Sequence, residues 1–289
     1  MLRSSNPILS KRDAFTPAAP QQGQAPYGQA QFGQNPYGQT GFQPYQQPGY
    51  PQGPGGEPFS PTSAPQGRMT LDDVVTKTAI TLAVLVATAA LAWNFMPPQL
   101  YFPAMVVSGL VGFVVVLLVS FRRAVSPPLV LVYAAIEGVF IGMISKVFEM
   151  RFEGIVTQAV FATFVAAGVT LAAYKFFNIR VTPKFQKVVF LATVAFALAM
   201  LLNFVLSLVG VNLGLRAGVD GPVSLLAIGI SLLGVVLAVL NLVLDFDYIE
   251  QGVAMGAPAR ESWRGAFGLT VTMVWLYIEI LRILSYLRR

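Results

Sequence analysis

Residues 266–287 read AFGLTVTMVWLYIEILRILSYL, an apolar run that contains one acidic residue, Glu279, and one basic residue, Arg282. A helix needs about 20 consecutive, mostly apolar residues to cross the hydrocarbon core of a bilayer. The run is therefore long enough to span a membrane as one helix. Its two charged side chains are unusual there, because charges in a spanning helix are costly and usually face the interior of the bundle.

Six similar apolar runs precede this one, and segments that contain proline separate several of them. Proline is tolerated between helices and in their first turn, so its positions fit this division. The chain is 55% hydrophobic and only 11% charged, whereas soluble domains carry about 25% charged residues. We therefore predict an all-α integral membrane protein with seven spanning helices, at about residues 79–96, 101–121, 129–147, 155–177, 187–209, 223–247 and 266–287.

The N-terminal tail, residues 1–68, differs in composition from the domain that follows at 69–289. It is rich in Gln, Gly, Pro and Tyr and contains few aliphatic residues. Such a segment cannot bury a core, so we expect it to be disordered. Two interpretations remain open: a solvated tether, or a segment that associates with itself or with other membrane proteins.

The basic residues of the loops predict the orientation of the helices, because cytoplasmic loops carry an excess of Lys and Arg. We expect the N-terminus to be cytoplasmic. The side of the C-terminus stays open, since Arg288 and Arg289 follow the last run. In the expected orientation the outer loops hold only Lys146, Arg151 and Arg216, and the inner loops hold Arg122, Arg123, Lys175, Arg180, Lys184, Lys187, Arg260 and Arg264.

Two residue types with frequent catalytic roles, His and Cys, are absent from the sequence. Their absence removes Ser-His and Cys-His catalytic systems and the commonest transition-metal ligands. No Gly-rich phosphate loop is present, so we expect neither an enzyme nor a cofactor. The basic residues are scattered, so we do not expect nucleic-acid binding. Proton sensing must then come from carboxyl groups, and a bound metal needs oxygen ligands, which favours calcium or magnesium.

A stripe of small residues, Ala134, Gly138 and Gly142, recurs at four-residue spacing in the third run. Residues at this spacing lie on one face of a helix. Small side chains on one face let two spanning helices approach closely. The stripe therefore predicts close packing against another helix.

Four acidic residues lie within apolar runs and are the candidates for function: Glu137, Asp245, Asp247 and Glu279. Arg282 follows Glu279 by one helical turn, so the two side chains are able to pair along one helix face. Asp245 and Asp247 are about 200° apart around a helix, so only one of them is expected to face the core.

The segments AAIEGVFIG, DFDYIEQ and WLYIEILRIL occur in this order on a chain with seven apolar runs. In this order they resemble the Bax inhibitor-1/YccA-like family, also called the transmembrane Bax inhibitor motif family. The resemblance covers about residues 70–289 and leaves the tail outside. The tail is similar to those of actinobacterial members, so we expect a bacterial plasma membrane.

The resemblance implies that six helices surround a central last helix. Bacterial relatives are described as pH-sensitive calcium leak channels, in which acidic residues of the sixth and seventh helices share a proton. By motif, Asp247, rather than Asp245, and Glu279 resemble that pair, with glutamate in place of aspartate at Glu279. Glu137 resembles the family's second-segment glutamate, and Lys146 is the nearest candidate for its basic latch.

We therefore predict a calcium-permeable leak channel whose gate is a carboxyl pair, Asp247 and Glu279, which are also the possible calcium ligands. Glu137 would line the route or bind a basic partner. The two gate residues differ in depth along their helices by roughly 10 Å, so the pairing requires tilt or an irregular segment at 252–264. The alternatives are a regulatory protein that binds membrane proteases or other integral partners, and a proton-coupled transporter.

Overall fold

A computed structural model describes residues 67–122, 125–211, 213–217 and 221–289. The predicted disorder of the tail concerns residues outside this part, except for Gly67 and Arg68. Within the described residues seven α-helices follow one another, with one short 3₁₀ turn at Pro98–Leu100 and no β-strand. The helices are α1 (Leu71–Phe95), α2 (Tyr101–Phe121), α3 (Pro127–Arg151), α4 (Ile155–Phe176), α5 (Pro183–Leu208), α6 (Leu225–Ala254) and α7 (Glu261–Leu287).

All seven predicted runs become helices, and each helix is long and apolar enough to cross a membrane. Several helices extend beyond the apolar runs because their polar ends are also helical. The α1 helix begins at Leu71, where the Thr70 side chain accepts a hydrogen bond from the Asp73 amide. The α6 helix continues past Asp247 to Ala254. A short connection, residues 255–260, joins α6 to α7.

The last helix, α7, lies at the centre of the bundle. Its backbone lies close to the backbones of α1, α3, α4 and α6. Side chains of the remaining two helices also reach it: Val115 of α2 shares an apolar cluster with Phe267, and Phe196 of α5 stacks on Trp275 with ring centroids 5.5 Å apart. The predicted arrangement of six helices around the last one is confirmed.

The small-residue stripe of α3 packs against α1, as predicted. A Cβ atom added at Gly138 would lie 2.4 Å from the Leu85 carbonyl oxygen, and one at Gly142 would lie 2.5 Å from the Ala89 carbonyl oxygen. Only glycine permits this approach of the two backbones. The stripe is thus part of the helix packing.

Successive helices run in opposite directions, so the bundle has two ends. We call the end at which α1 begins the N-terminal side and the end at which α7 finishes the C-terminal side. On the N-terminal side the Gly67 carbonyl accepts a hydrogen bond from Ala259. On the C-terminal side Arg288 donates to the Glu153 carbonyl and to the Gln158 side chain.

Candidate functional site

The most enclosed ion pair of the described residues joins Glu279 of α7 to Arg216, which lies in the connection between α5 and α6. Arg216 Nη1 donates to Glu279 Oε2 at 2.6 Å, and Nη2 donates to Oε1 at 2.5 Å. The Glu279 side chain is 2% exposed and that of Arg216 is 13% exposed. One guanidinium therefore binds both carboxylate oxygens, the bidentate arrangement in which arginine binds most strongly.

Neighbouring side chains orient both members of this pair. Arg216 Nη1 also donates to Ser231 Oγ at 3.1 Å, and its guanidinium lies 5.6 Å from the centre of the Phe196 ring. Trp275 Nε1 donates to Glu279 Oε1 at 3.3 Å. A loop residue is thus held inside the bundle by groups from α5, α6 and α7.

Glycine at position 234 makes room for the carboxylate. A Cβ atom at Gly234 would lie 2.7 Å from Glu279 Cδ, a distance at which something must move. Beside the ion pair is a cavity of about 300 Å³, lined by Thr193, Phe196, Ala197, Met200, Arg216, Trp275 and Glu279. The pair therefore borders open space on the C-terminal half of the bundle.

The predicted pairing of Glu279 with Arg282 is not the ion pair that forms. Arg282 is close enough to Glu279, Arg216 and Tyr286 to interact with them electrostatically, but the carboxylate oxygens bind Arg216. One carboxylate therefore faces two arginines, so this part of the bundle carries an excess of positive charge.

The two aspartates of α6 point to different helices. Asp245 faces α7, where Thr272 Oγ1 donates to its Oδ2 at 2.7 Å and Gly268 leaves room for its Oδ1. Asp247 faces α4, where Tyr174 Oη lies 3.5 Å from its Oδ1. The angular separation predicted from sequence is correct, but both residues contact a neighbouring helix.

Asp247 belongs to a polar group near the N-terminal side. Gln251 Nε2 donates to its Oδ2 at 2.6 Å, and Tyr174 Oη donates to Glu250 Oε2 at 2.7 Å. The two carboxyl groups border a cavity of about 340 Å³, whose lining also includes Lys175 and Arg180. We call Tyr174, Asp247, Glu250 and Gln251 the N-side cluster.

The predicted contact between Asp247 and Glu279 is wrong for this structure. Glu279 packs against Gly234, and the stretch of α6 from Gly234 to Asp247 measures about 20 Å at 1.5 Å per residue. The depth mismatch seen in the sequence is therefore real and is not closed by an irregular segment. The two residues do not share a proton or a metal ion, and the described residues contain no group of three or more acidic side chains arranged to hold a metal.

Two other predicted residues also lie apart from the α6 aspartates. Glu137 of α3 faces α2, where a Cβ atom at Gly112 would lie 2.8 Å from Glu137 Oε2, and no hydrogen bond joins it to another described residue. Lys146 lies over the Trp93 ring, 4.8 Å from its centre. Lys146 is near the C-terminal side and Asp247 near the N-terminal side, so the prediction of Lys146 as a latch for that aspartate is wrong.

Arg216 is the site residue that sequence reasoning missed. In the sequence Arg216 is an outer-loop charge, and it is the one basic residue between α5 and α6. A single basic residue in this loop, together with an acid in an apolar run, was the available signal of an ion pair. Its partner is 63 positions away in the chain, so spacing alone did not connect them.

Six spanning helices around a central seventh helix that carries a buried ion pair define a polytopic helical membrane protein. A sequence model of the family described as Bax inhibitor 1 like matches residues 6–289, so the chain belongs to the Bax inhibitor-1 family. The match begins near the N-terminus, so the expectation that the tail lies outside the resemblance is wrong. No curated protein sequence matches the chain.

Proposed function

We propose that this protein forms a calcium-permeable, pH-sensitive leak pathway in the bacterial plasma membrane, and that Arg216 bound to Glu279 closes it. We also propose that the C-terminal side faces outward and that the chain has a transport role, with no enzymatic activity. The single observation that carries the proposal is the buried bidentate ion pair, in which a loop residue covers an acid of the central helix.

The positions of the acidic residues on α6 and α7 support a route along these two helices. Glu279 borders one cavity, and Asp247 and Glu250 border another near the opposite side. Asp245 lies between the two cavities and has a hydroxyl group, not a cation, as its hydrogen-bond partner. Carboxylate oxygens are the ligands that calcium prefers, so this series offers successive weak contacts to a passing cation.

Protonation gives the proposed gate its pH dependence. A charged Glu279 attracts Arg216, whereas a protonated Glu279 no longer binds it as an ion pair. Acid on the C-terminal side therefore favours release of Arg216 and opening. Asp245 attracts a cation only when it has lost its proton, so flux also falls when the interior of the route becomes acidic.

Calcium flux in proteoliposomes tests the gate, measured at pH 6 and at pH 8. Glu279→Gln removes the charge that binds Arg216, and Arg216→Gln removes the cation. Each is expected to raise calcium flux several-fold at pH 8 and to weaken the activation by acid. Glu153→Gln, at an exposed position in the connection between α3 and α4, is the matched control and is expected to leave flux unchanged.

The route is tested separately by Asp245→Asn, which keeps the size of the side chain and removes its charge. In the Arg216→Gln background it is expected to lower calcium flux several-fold. If Glu279→Gln and Arg216→Gln both leave flux and its pH dependence unchanged, the proposed gate is refuted. If only Asp245→Asn is without effect, the gate stands and the cation does not pass Asp245.

A further inference from the structure

A third cavity, distinct from the two described above, opens between α1 and α4 in the C-terminal half of the bundle. Its volume is about 440 Å³. Its walls come from α1, α3 and α4, and Met273, Val274 and Tyr277 of α7 form its floor. The α1 and α4 helices do not pack against each other, so the cavity extends sideways toward the surrounding bilayer. We call it the side cavity.

The side cavity is apolar along most of its length. Its lining includes Leu85, Val86, Ile141, Val160 and Phe164. Water gains little in such a space, because it needs several polar partners to be stable. The buried hydroxyl groups of the lining already have partners. Ser145 and Tyr277 bind each other through hydroxyl oxygens 2.6 Å apart, and Thr163 donates to the Ala159 carbonyl oxygen at 2.7 Å.

The dimensions of the side cavity fit a lipid chain in one leaflet. Along α1 its lining runs from Leu82 to Asn94, a length of about 18 Å at 1.5 Å per residue. One leaflet of hydrocarbon is roughly 15 Å thick. The cavity thus begins near the middle of the bundle and ends where α1 reaches the membrane surface.

The positively charged side chain of Lys146 lies at this surface end of the cavity. Trp93 lines the cavity, and Lys146 Nζ lies 4.8 Å from the centre of its ring. Lys146 takes part in none of the ion pairs that the described residues form. The nearby carboxylate of Glu149 instead accepts hydrogen bonds from the amides of Gly154 and Val156, at 2.6 and 3.0 Å. Trp and Lys are residues that anchor helices at the level of lipid headgroups.

We propose that the side cavity binds one acyl chain of an anionic phospholipid, whose headgroup phosphate lies against Lys146. A filled cavity recovers the dispersion contacts that its apolar walls would otherwise lack. The charge of Lys146 selects the anionic headgroup, and the apolar walls select the chain. The inference is independent of the proposed leak pathway, because it uses none of the residues assigned to the gate or the route.

Native mass spectrometry of the purified full-length protein tests the proposal, with phosphatidylglycerol and phosphatidylcholine added separately as probes. The unchanged protein is expected to retain one phosphatidylglycerol in preference to phosphatidylcholine. Lys146→Gln is expected to reduce this preference about fivefold, the factor that one basic residue near an anionic headgroup supplies. A preference that is the same in both proteins would overturn the proposed role of Lys146 and with it the proposal.

Filling the cavity tests the position of the chain. Val160 is 41% exposed and lines the cavity, so Val160→Trp is expected to occupy it and to abolish retention of both lipids. Val188→Trp is the matched control, because Val188 is 67% exposed on α5 and is not part of the lining. If Val160→Trp does not fold, Ala90→Leu fills the cavity with a smaller side chain. Lipid retention that survives a filling variant at the level of Val188→Trp would overturn the proposal.

Discussion

The two ends of the bundle stabilise the acidic residues of α6 and α7 in different ways. On the C-terminal side Glu279 is 2% exposed and is neutralised by Arg216. In the N-side cluster Asp247 is 8% exposed and Glu250 is exposed, and their hydrogen-bond partners are Tyr174 and Gln251. A deeply buried carboxylate requires a full opposite charge, whereas acids near a polar surface are stabilised by dipoles and water.

Asp245 lies between these two environments and matches neither. Its hydrogen-bond partner is the Thr272 hydroxyl, so it has one dipole where Glu279 has an arginine. The comparison therefore separates a fully paired acid at Glu279, an acid with a single hydroxyl partner at Asp245, and a polar cavity mouth at the N-side cluster.

The largest expected effect comes from breaking the buried pair on one side only. Arg216→Gln leaves the carboxylate of Glu279 buried without its cation, which is expected to cost about 3–5 kcal/mol of stability. The thermal transition in detergent, followed by tryptophan fluorescence, measures this loss. Adding Glu279→Gln to the same chain removes the unpaired carboxylate but leaves Arg282 without this acid beside it, so it is expected to restore only part of the stability.

The Lys77–Asp73 pair provides the control for this prediction. Its side chains are 16% and 33% exposed, so Lys77→Gln is expected to cost about 1 kcal/mol or less. Equal losses in Lys77→Gln and Arg216→Gln would contradict the contrast between a buried pair and a partly solvated one. A double variant less stable than Arg216→Gln alone would show that Glu279 is not the group left unpaired.

Sequence predicted the membrane helices well because their length and apolar composition follow directly from the thickness of a bilayer. The helix ends were less well predicted, since polar residues such as Asp72 and Asp73 favour the first turn of a helix and so extend α1 beyond its apolar run. The close packing of the α3 face that carries Gly138 was also predictable, because small residues at helical spacing usually lie where two spanning helices approach closely.

The site was only partly predictable for a different physical reason. Burial of Glu279 follows from its position in an apolar run, but the identity of its partner depends on how the α5–α6 connection folds back into the bundle. That path is set by tertiary contacts with Ser231 and Phe196. The sequence indicates that Asp247 and Glu279 lie at different depths along their helices. The pairing that the family resemblance implies conflicts with this difference, and the pairing is wrong.

The next effect in size concerns the space that Gly234 leaves for Glu279. In Gly234→Ala the new methyl group lies 2.7 Å from Glu279 Cδ, so the carboxyl group must move and the variant is expected to lose about 1–3 kcal/mol. The same detergent thermal transition measures this. Gly229→Ala, on the same helix and with no neighbour within 4 Å, is the control and is expected to be neutral or slightly stabilising. Matching losses in the two variants would indicate a general effect on α6 and not a local clash.

The smallest effect is expected in the N-side cluster, where Tyr174→Phe removes the hydroxyl that lies between two carboxyl groups. The loss of the hydrogen bond to Glu250 is expected to cost about 1 kcal/mol. Without the hydroxyl, Asp247 and Glu250 repel each other more strongly when both are ionised, so the loss should be larger at pH 8 than at pH 5. Thermal transitions of Tyr174→Phe and of the unchanged protein at both pH values measure this difference. The reverse trend, or a loss as large as that of Arg216→Gln, would mean that the N-side cluster is a buried, charge-compensated site like the one around Glu279, and the contrast between the two ends would fail.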